Sequence, residues 1–319
     1  MTNRNALLAL SAAALLSASA NAADLLVPAQ FPTIQSAVNA AAPGDKVRIA
    51  DGVYDEDVVI QSKSNLSLKG DDDVFVSSLR INDGQLISVK EITFTDSQTN
   101  QLDCSDSSQL DIRFCSFTNG AVAAVFVTCN DVNLRDSDIK NVFTGFVFDS
   151  CKQARASVLV KNVPGGNHVA FSENVIVEDC PLKNTALFIF GSKTTTVRGN
   201  AFKKSNLVAH NSTNVLLDSN SFKKSGVDAI SLIGVTGSTV QLNAIKKATF
   251  NGIDLDENSD DNLVFGNGVK KAGQIGIQVD GVDNTIDQNF AVKSNGFDLL
   301  VVQKDDNTIG FNIVGSSNL

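Results

Sequence analysis

Tryptophan is absent from the 319 residues, and tyrosine and methionine occur once each, as Tyr54 and Met1. With nineteen Phe supplying nearly all the aromatic content, the amphipathic rings that stack on neutral sugars are almost missing, and aromatics serve core filling. Histidine is limited to His168 and His210, and no CxxC occurs. Neither histidine sits at ligand spacing from a cysteine pair, so no zinc site is expected, and two His with one Met hardly support a periplasmic metal-handling protein. Beyond the N-terminus no 18-residue apolar run exists, so no membrane insertion is expected. Positive charge is also in deficit: 26 Lys and Arg against 35 Asp and Glu give a net charge of −9. That balance argues against nucleic acid or an anionic membrane as partner.

What is present is a foldable chain, 43% hydrophobic and 19% charged. Residues 1–22 open on Met-Thr-Asn-Arg, run apolar from Ala6 to Leu16 and close on Ala20-Asn21-Ala22, which predicts a secretory signal with the mature chain starting at Ala23. The expected location is secreted, periplasmic or cell-surface. Cys104, Cys115, Cys129, Cys151 and Cys180 all follow this signal, where disulfides are permitted, and the odd count leaves one thiol unpaired within a monomer.

A repeat is the dominant signal. Asn200, Asn220, Asn243, Asn267, Asn289 and Asn312 recur at steps of 20, 23, 24, 22 and 23 residues. The first four are each followed by an apolar residue two positions on (Phe202, Phe222, Ile245, Val269) and then by a lysine pair. The period is too short for paired helices and suits a coil of three short strands. Apolar and polar residues alternate within each run, as strands with one buried face require. Stacking the coils at about 4.8 Å predicts side-chain amides bonding along an asparagine ladder. Upstream, Ile92, Cys115 and Ser137 take the asparagine position, and the next match, Asn174, implies an inserted loop over about 152–168. That loop is expected to cover outward apolar residues Phe126, Val147 and Phe188. Equal offsets place Cys129 beside Cys151, within disulfide reach. Before the coils, Thr33 to Ala42 reads as a capping helix, with Thr33 as N-cap, Ile34, Ala37, Val38 and Ala41 on one face and Pro43-Gly44 as its stop. The last rung, 299–302 and 308–313, carries no such cap, which predicts end-to-end self-association or frayed last strands.

The segment FPTIQSAVNAAAPGDKVRIADGVYDEDVVI (Phe31 to Ile60) and the Asn-marked coils resemble the pectin-lyase-like right-handed parallel β-helix (PbH1-repeat) family. The resemblance implies an all-β fold, a right-handed single-stranded parallel β-helix of about twelve coils, with residues 23–319 as a single domain. It implies activity only weakly, because the fold hosts lyases, hydrolases, esterases and epimerases as well as proteins without known activity. Phe188-Ile-Phe-Gly191 looks like the tail of the pectin methylesterase motif, but Leu187 stands where the nucleophilic Asp belongs, so that activity is disfavoured. Asp254 in Gly-Ile-Asp-Leu and Asp298 in Gly-Phe-Asp-Leu are the weak catalytic candidates, predicted to share one ladder with Gln278 between them at roughly 10 Å. The turn from Asp254 to Asp261 offers oxygen ligands without the glycine-centred spacing of an EF-hand, so no cofactor is expected beyond the option of calcium.

The lysine pairs Lys203-Lys204, Lys223-Lys224, Lys246-Lys247 and Lys270-Lys271 are the most pointed feature. A rigid row of like charges costs energy unless it is solvated, paired or used, and it suits a polyanion whose charges also repeat. With Gln278 these lysines are the candidate substrate-binding residues. The expected function is binding of an acidic polysaccharide outside the cytoplasm, with lyase or hydrolase cleavage left open. A non-catalytic cell-surface or adhesive scaffold, its lysines merely solvated, is the alternative.

Overall fold

The computed structural model describes residues 22–95 and 97–319. The expected signal peptide therefore lies, apart from Ala22, outside the described residues. The chain winds through 35 strands, all in parallel register, in about thirteen turns, with one short α-helix among the described residues.

Three ladders form the walls. The first runs from Asp24–Val27 through Lys46–Ile49 and onward to Thr308–Ile309. The second includes Thr93–Thr95 and Ser116–Thr118 and ends at Ile313–Val314. The third includes Asn100–Ser105 and Val122–Val127 and ends at Leu299–Val301. Alternation puts one residue in two inside, so the interior is built from columns of equivalent apolar residues. In the second ladder Phe94 stacks on Phe117 with ring centroids 5.2 Å apart, and Phe202 on Phe222 at 4.3 Å.

The asparagine ladder forms as expected. Each Oδ1 accepts the backbone N–H and the Nδ2 of the asparagine one coil earlier, as from Asn220 to Asn243 at 3.0 Å for both bonds. Each Nδ2 also reaches a buried carbonyl, as Asn243 does to Leu217 at 2.9 Å. A chain bend would otherwise leave these groups unpaired in the core, at about 1–3 kcal/mol each.

At the open end of the N-terminal coil, the helix Ile34–Ala40 is capped by Thr33, whose Oγ1 accepts from Ser36 N at 3.0 Å. Glu56 accepts from the N–H groups of Ile34 and Gln35, both at 3.0 Å, and so closes the same helix end from a neighbouring strand. Ile34, Ala37 and Val38 are buried, the face the sequence indicates.

Two expectations are corrected. No inserted loop exists at 152–168: Lys152–Lys161 is a strand in register with Asn130–Lys140, and Val158, not Asn174, pairs with Ser137. Val158 then leads to Cys180, whose Sγ accepts from Val158 N at 3.3 Å, and Cys180 N donates to Asn200 at 2.9 Å. The bend position thus passes through Ser, Val and Cys before it settles on Asn, and the spacing stays even. Phe126 points inward, in a column with Cys104 and Phe148, whereas Val147 and Phe188 flank His168 on a half-exposed outer column. Cys129 and Cys151 do stack on each other, since Val127 pairs with Asp149 and Asn130 with Lys152, and both are free, buried thiols.

Candidate functional site

On the outer face of the second sheet, strand register brings Lys203, Lys223, Lys246 and Lys270 into one column. The column is longer than the repeated lysine pairs suggest. Lys140 pairs with Lys161, Lys161 with Lys183, and Lys183 with Lys203, so seven lysines stand in seven consecutive coils. At about 4.8 Å per coil the row spans roughly 29 Å. Lys140 lies 2.8 Å from Asp138, but among the described residues no carboxylate lies within 4.0 Å of Lys161, Lys183, Lys203, Lys223, Lys246 or Lys270. Lys140, Lys161 and Lys183 were legible in principle: each follows the inward residue of the same ladder (Ile139, Val160, Leu182), and the misplaced insertion hid the series.

The second lysine of each pair, at Lys204, Lys224, Lys247 and Lys271, occupies the left-handed bend, with φ of 52°, 59°, 63° and 62°. Earlier coils fill this bend with Asn119, Asn141, Asn162 and Asn184, at φ of 53°, 54°, 57° and 52°. Asparagine suits that conformation and lysine does not. Beside the lysine column, two positions earlier on the same outer face, stand Pro181, Ala201, Ser221, Ala244 and Gly268, which leave the lysine stems unobstructed.

Gln278 does not join the lysines. It sits on the third sheet, where Ser231, Asp254, Gln278 and Leu300 are consecutive partners. Asp298 is not in that ladder: Leu299-Leu300-Val301 aligns with Ile277-Gln278-Val279, which puts Asp298 at the corner beside Gly276. It is 4% exposed and accepts from Ser294 N at 2.7 Å, a structural role. Asp254 and Asp298 therefore do not share a ladder, contrary to the expectation from sequence.

Asp254 has other carboxylate neighbours. Partial burial, then the charge of Asp228, then those of Asp280 and Asp256 push its carboxyl up to about 6, against the pull of the Asn251 amide that donates to it at 3.1 Å. Asp228 is raised too, chiefly by burial, although it accepts from Asn251 N at 2.6 Å. Gln278 donates to Asp280 at 2.8 Å. A carboxyl near pKa 6 exchanges its proton near neutrality, the property of a general acid or base. Further along this turn Asp256 accepts from Gly234 N at 2.9 Å and Asp260 from Val282 N at 2.8 Å, so both brace the backbone. Burial pushes the Cys115 and Cys180 thiols up to about 12, which leaves those two unsuited to nucleophilic work.

Comparison with known proteins places this geometry. Residues 156–318 match the family model described as "Periplasmic copper-binding protein (NosD)". No curated protein matches the chain. Among solved structures, the catalytic domain of a GH87 α-1,3-glucanase in complex with nigerose is similar at 10% identity, covering 92% of this chain and 68% of that one, with a TM-score of 0.55. The A-module of the Azotobacter vinelandii mannuronan C-5 epimerase AlgE6 aligns at 10% identity over 88% and 82%, with a TM-score of 0.57. A double mutant of the periplasmic alginate epimerase AlgG aligns at 12% identity over 93% and 84%, with a TM-score of 0.59. At these identities the likeness is one of fold.

Proposed function

The chain belongs to the NosD family, and on that footing we propose that it is an extracytoplasmic β-helix that holds an acidic polysaccharide along the lysine column of its second sheet. The observation that carries this reading is the row of six consecutive lysines that have no carboxylate within 4.0 Å among the described residues, in a protein of net charge −9. A polyuronate carries one carboxylate per sugar, and a sugar is about as long as one coil is deep, so a chain laid along the solenoid axis meets a cation at nearly every residue. Solved relatives named for alginate and for nigerose support carbohydrate as the class of ligand for this fold.

The copper in the family's description finds no fit in these residues. Among the described residues no three His, Cys, Asp or Glu side chains group to hold a metal. His168 stacks on Phe188 and His210 on Phe190, in different coils, and the five thiols are buried. Copper favours converging imidazole and sulfur donors, which this arrangement keeps apart.

Binding of alginate, polygalacturonate and uncharged dextran to the mature protein tests the proposal. The two polyuronates are expected to bind with an affinity that falls steeply with salt, and dextran is expected not to bind. Replacing Lys203, Lys223, Lys246 and Lys270 together by Ala is expected to weaken polyuronate binding about a hundredfold or more, at roughly 1 kcal/mol per cation. Unchanged affinity would return the column to solvated lysines and favour a scaffold. Cleavage is a separate question, carried by Asp254: an Asp254→Asn variant that binds normally but no longer releases reducing or unsaturated ends would make it a catalytic residue.

A further inference from the structure

On the outer face of the first sheet, Asp111 and Glu178 stand among the cations, and the two coils between them carry no outward carboxylate on this sheet. Asp111 lies 2.7 Å from Arg113 and 3.6 Å from Arg135, and three coils on, the buried Glu178 is held by Arg198 at 2.6 Å and by Arg155 in direct contact. Between these two carboxylates lie two coils whose outward residues are Asn133 and Arg135 in one and Arg155 and Ser157 in the next. Register pairs Asn133 with Arg155 and Arg135 with Ser157, so the guanidinium groups occupy opposite corners of a square and neutral polar groups the other two. Small Ser157 opens a cleft of about 260 Å³ there, edged by Asp136. Arg135 meets carboxylates only at 3.6 Å and 4.0 Å, and among the described residues the Asn133 amide and the Ser157 hydroxyl have no hydrogen-bond partner.

We propose that this cleft is a binding site for a single carboxylate, that of a uronic acid, clasped between Arg135 and Arg155 with the Asn133 amide and Ser157 hydroxyl donating to it. A bound carboxylate would lie between Asp111 and Glu178, the carboxylates that already flank Arg135 and Arg155. Guanidinium planes match carboxylates bidentately, and Arg135 and Arg155, which can donate but not accept, favour an anion over a neutral hydroxyl. Asp136 at the rim sets a limit on charge and disfavours a dianion. The site lies on a different sheet from the lysine column and does not depend on it.

Titration of sodium glucuronate into the full mature chain, followed by calorimetry and by the arginine Nε–H NMR signals, tests the site, with glucose and sodium sulfate as comparisons. Glucuronate is expected to bind saturably and to shift the Arg135 and Arg155 signals, while glucose does neither. Arg135→Ala should weaken binding about tenfold or more. Ser157→Glu, which supplies the missing carboxylate from within, should abolish it while the fold persists by circular dichroism. The fourfold lysine-to-alanine variant should bind glucuronate as the parent does, so failure here and failure of the polysaccharide reading are separable. No saturable binding, binding retained in both variants, sulfate bound more tightly than glucuronate, or binding lost in the lysine variant alone would each overturn the proposal.

Discussion

On the first sheet Arg48, Lys69, Lys90, Arg113 and Arg135 stand in five consecutive coils, each with a carboxylate within 4.0 Å, whereas on the second sheet the six lysines from Lys161 to Lys270 have none among the described residues. Both columns face the same arithmetic. Like charges about 4.8 Å apart repel by about 1 kcal/mol per neighbouring pair in water, less in salt. One column interleaves Asp71, Glu91 and Asp111 to cancel that repulsion, and the other leaves it standing beside alanines, a serine and a glycine. The same fold and the same repeat therefore admit both solutions. A cationic row left uncompensated where compensation was available is the contrast on which the proposed polyuronate site rests.

The third sheet supplies the converse, carboxylates gathered without cations. Burial and then the charges of Asp228, Asp280 and Asp256 raise the affinity of Asp254 for its proton, and among the described residues no lysine or arginine lies within 4.0 Å of these four carboxylates.

The sharpest way to break the contrast is to remove a compensating carboxylate. Glu178, 3% exposed and gripped by the half-exposed Arg155 and Arg198, should cost about 2–3 kcal/mol as Glu178→Gln, read as a lower urea midpoint, while Lys203→Ala should leave stability within about 0.5 kcal/mol. Next in size is the scaffold beneath the bare column. Asn243→Ala deletes an acceptor for Asn220 and a donor to Leu217, and should cost about 2 kcal/mol by denaturation without altering the salt slope of polyuronate binding. The two columns can also be made alike: Ser221→Glu with Ala244→Glu puts carboxylates beside Lys223 and Lys246, and polyuronate affinity should fall about tenfold with every lysine in place.

The smallest effect is on pH. The carboxyl of Asp254 is raised to about 6, so between the unfolded value near 4 and pH 6 the folded state binds the extra proton. Stability should fall as pH rises through that window, by about 1 kcal/mol after allowance for its partial exposure, and Asp254→Asn should flatten the slope. A slope unchanged by the substitution would show that its neighbours do not act on it.

The repeat was readable because a stacked coil imposes the same residue at the same bend: Asn200 to Asn312, the inward Phe202 and Phe222, and the lysines that follow them. The helix was readable from Thr33 and the spacing of Ile34, Ala37 and Val38. Misreading began where different side chains meet the same demand. At the bend one coil donates to the next, and Ser137, Cys180 or asparagine can each accept, so the asparagine spacing alone does not mark the coil that bends at Val158. Asp298 failed for a related reason. Gly-Phe-Asp-Leu imitates Gly-Ile-Asp-Leu in letters, whereas seven residues separate Lys246 from Ile253, Lys270 from Ile277 and Val292 from Leu299, and that constant distance sets the register. The arginine cleft left no linear trace, because its four residues come from two coils and meet only through strand pairing.

The asparagine ladder has a mechanical consequence. Each link joins one coil only to the next, so a load applied at the C-terminal end along the axis falls on the Asn289 to Asn312 link before any other. Pulled from that end, the protein should yield one coil at a time, each step releasing 20 to 24 residues, or roughly 70 Å of extended chain. A single-molecule trace would then be a staircase with treads of that length, rather than one rupture.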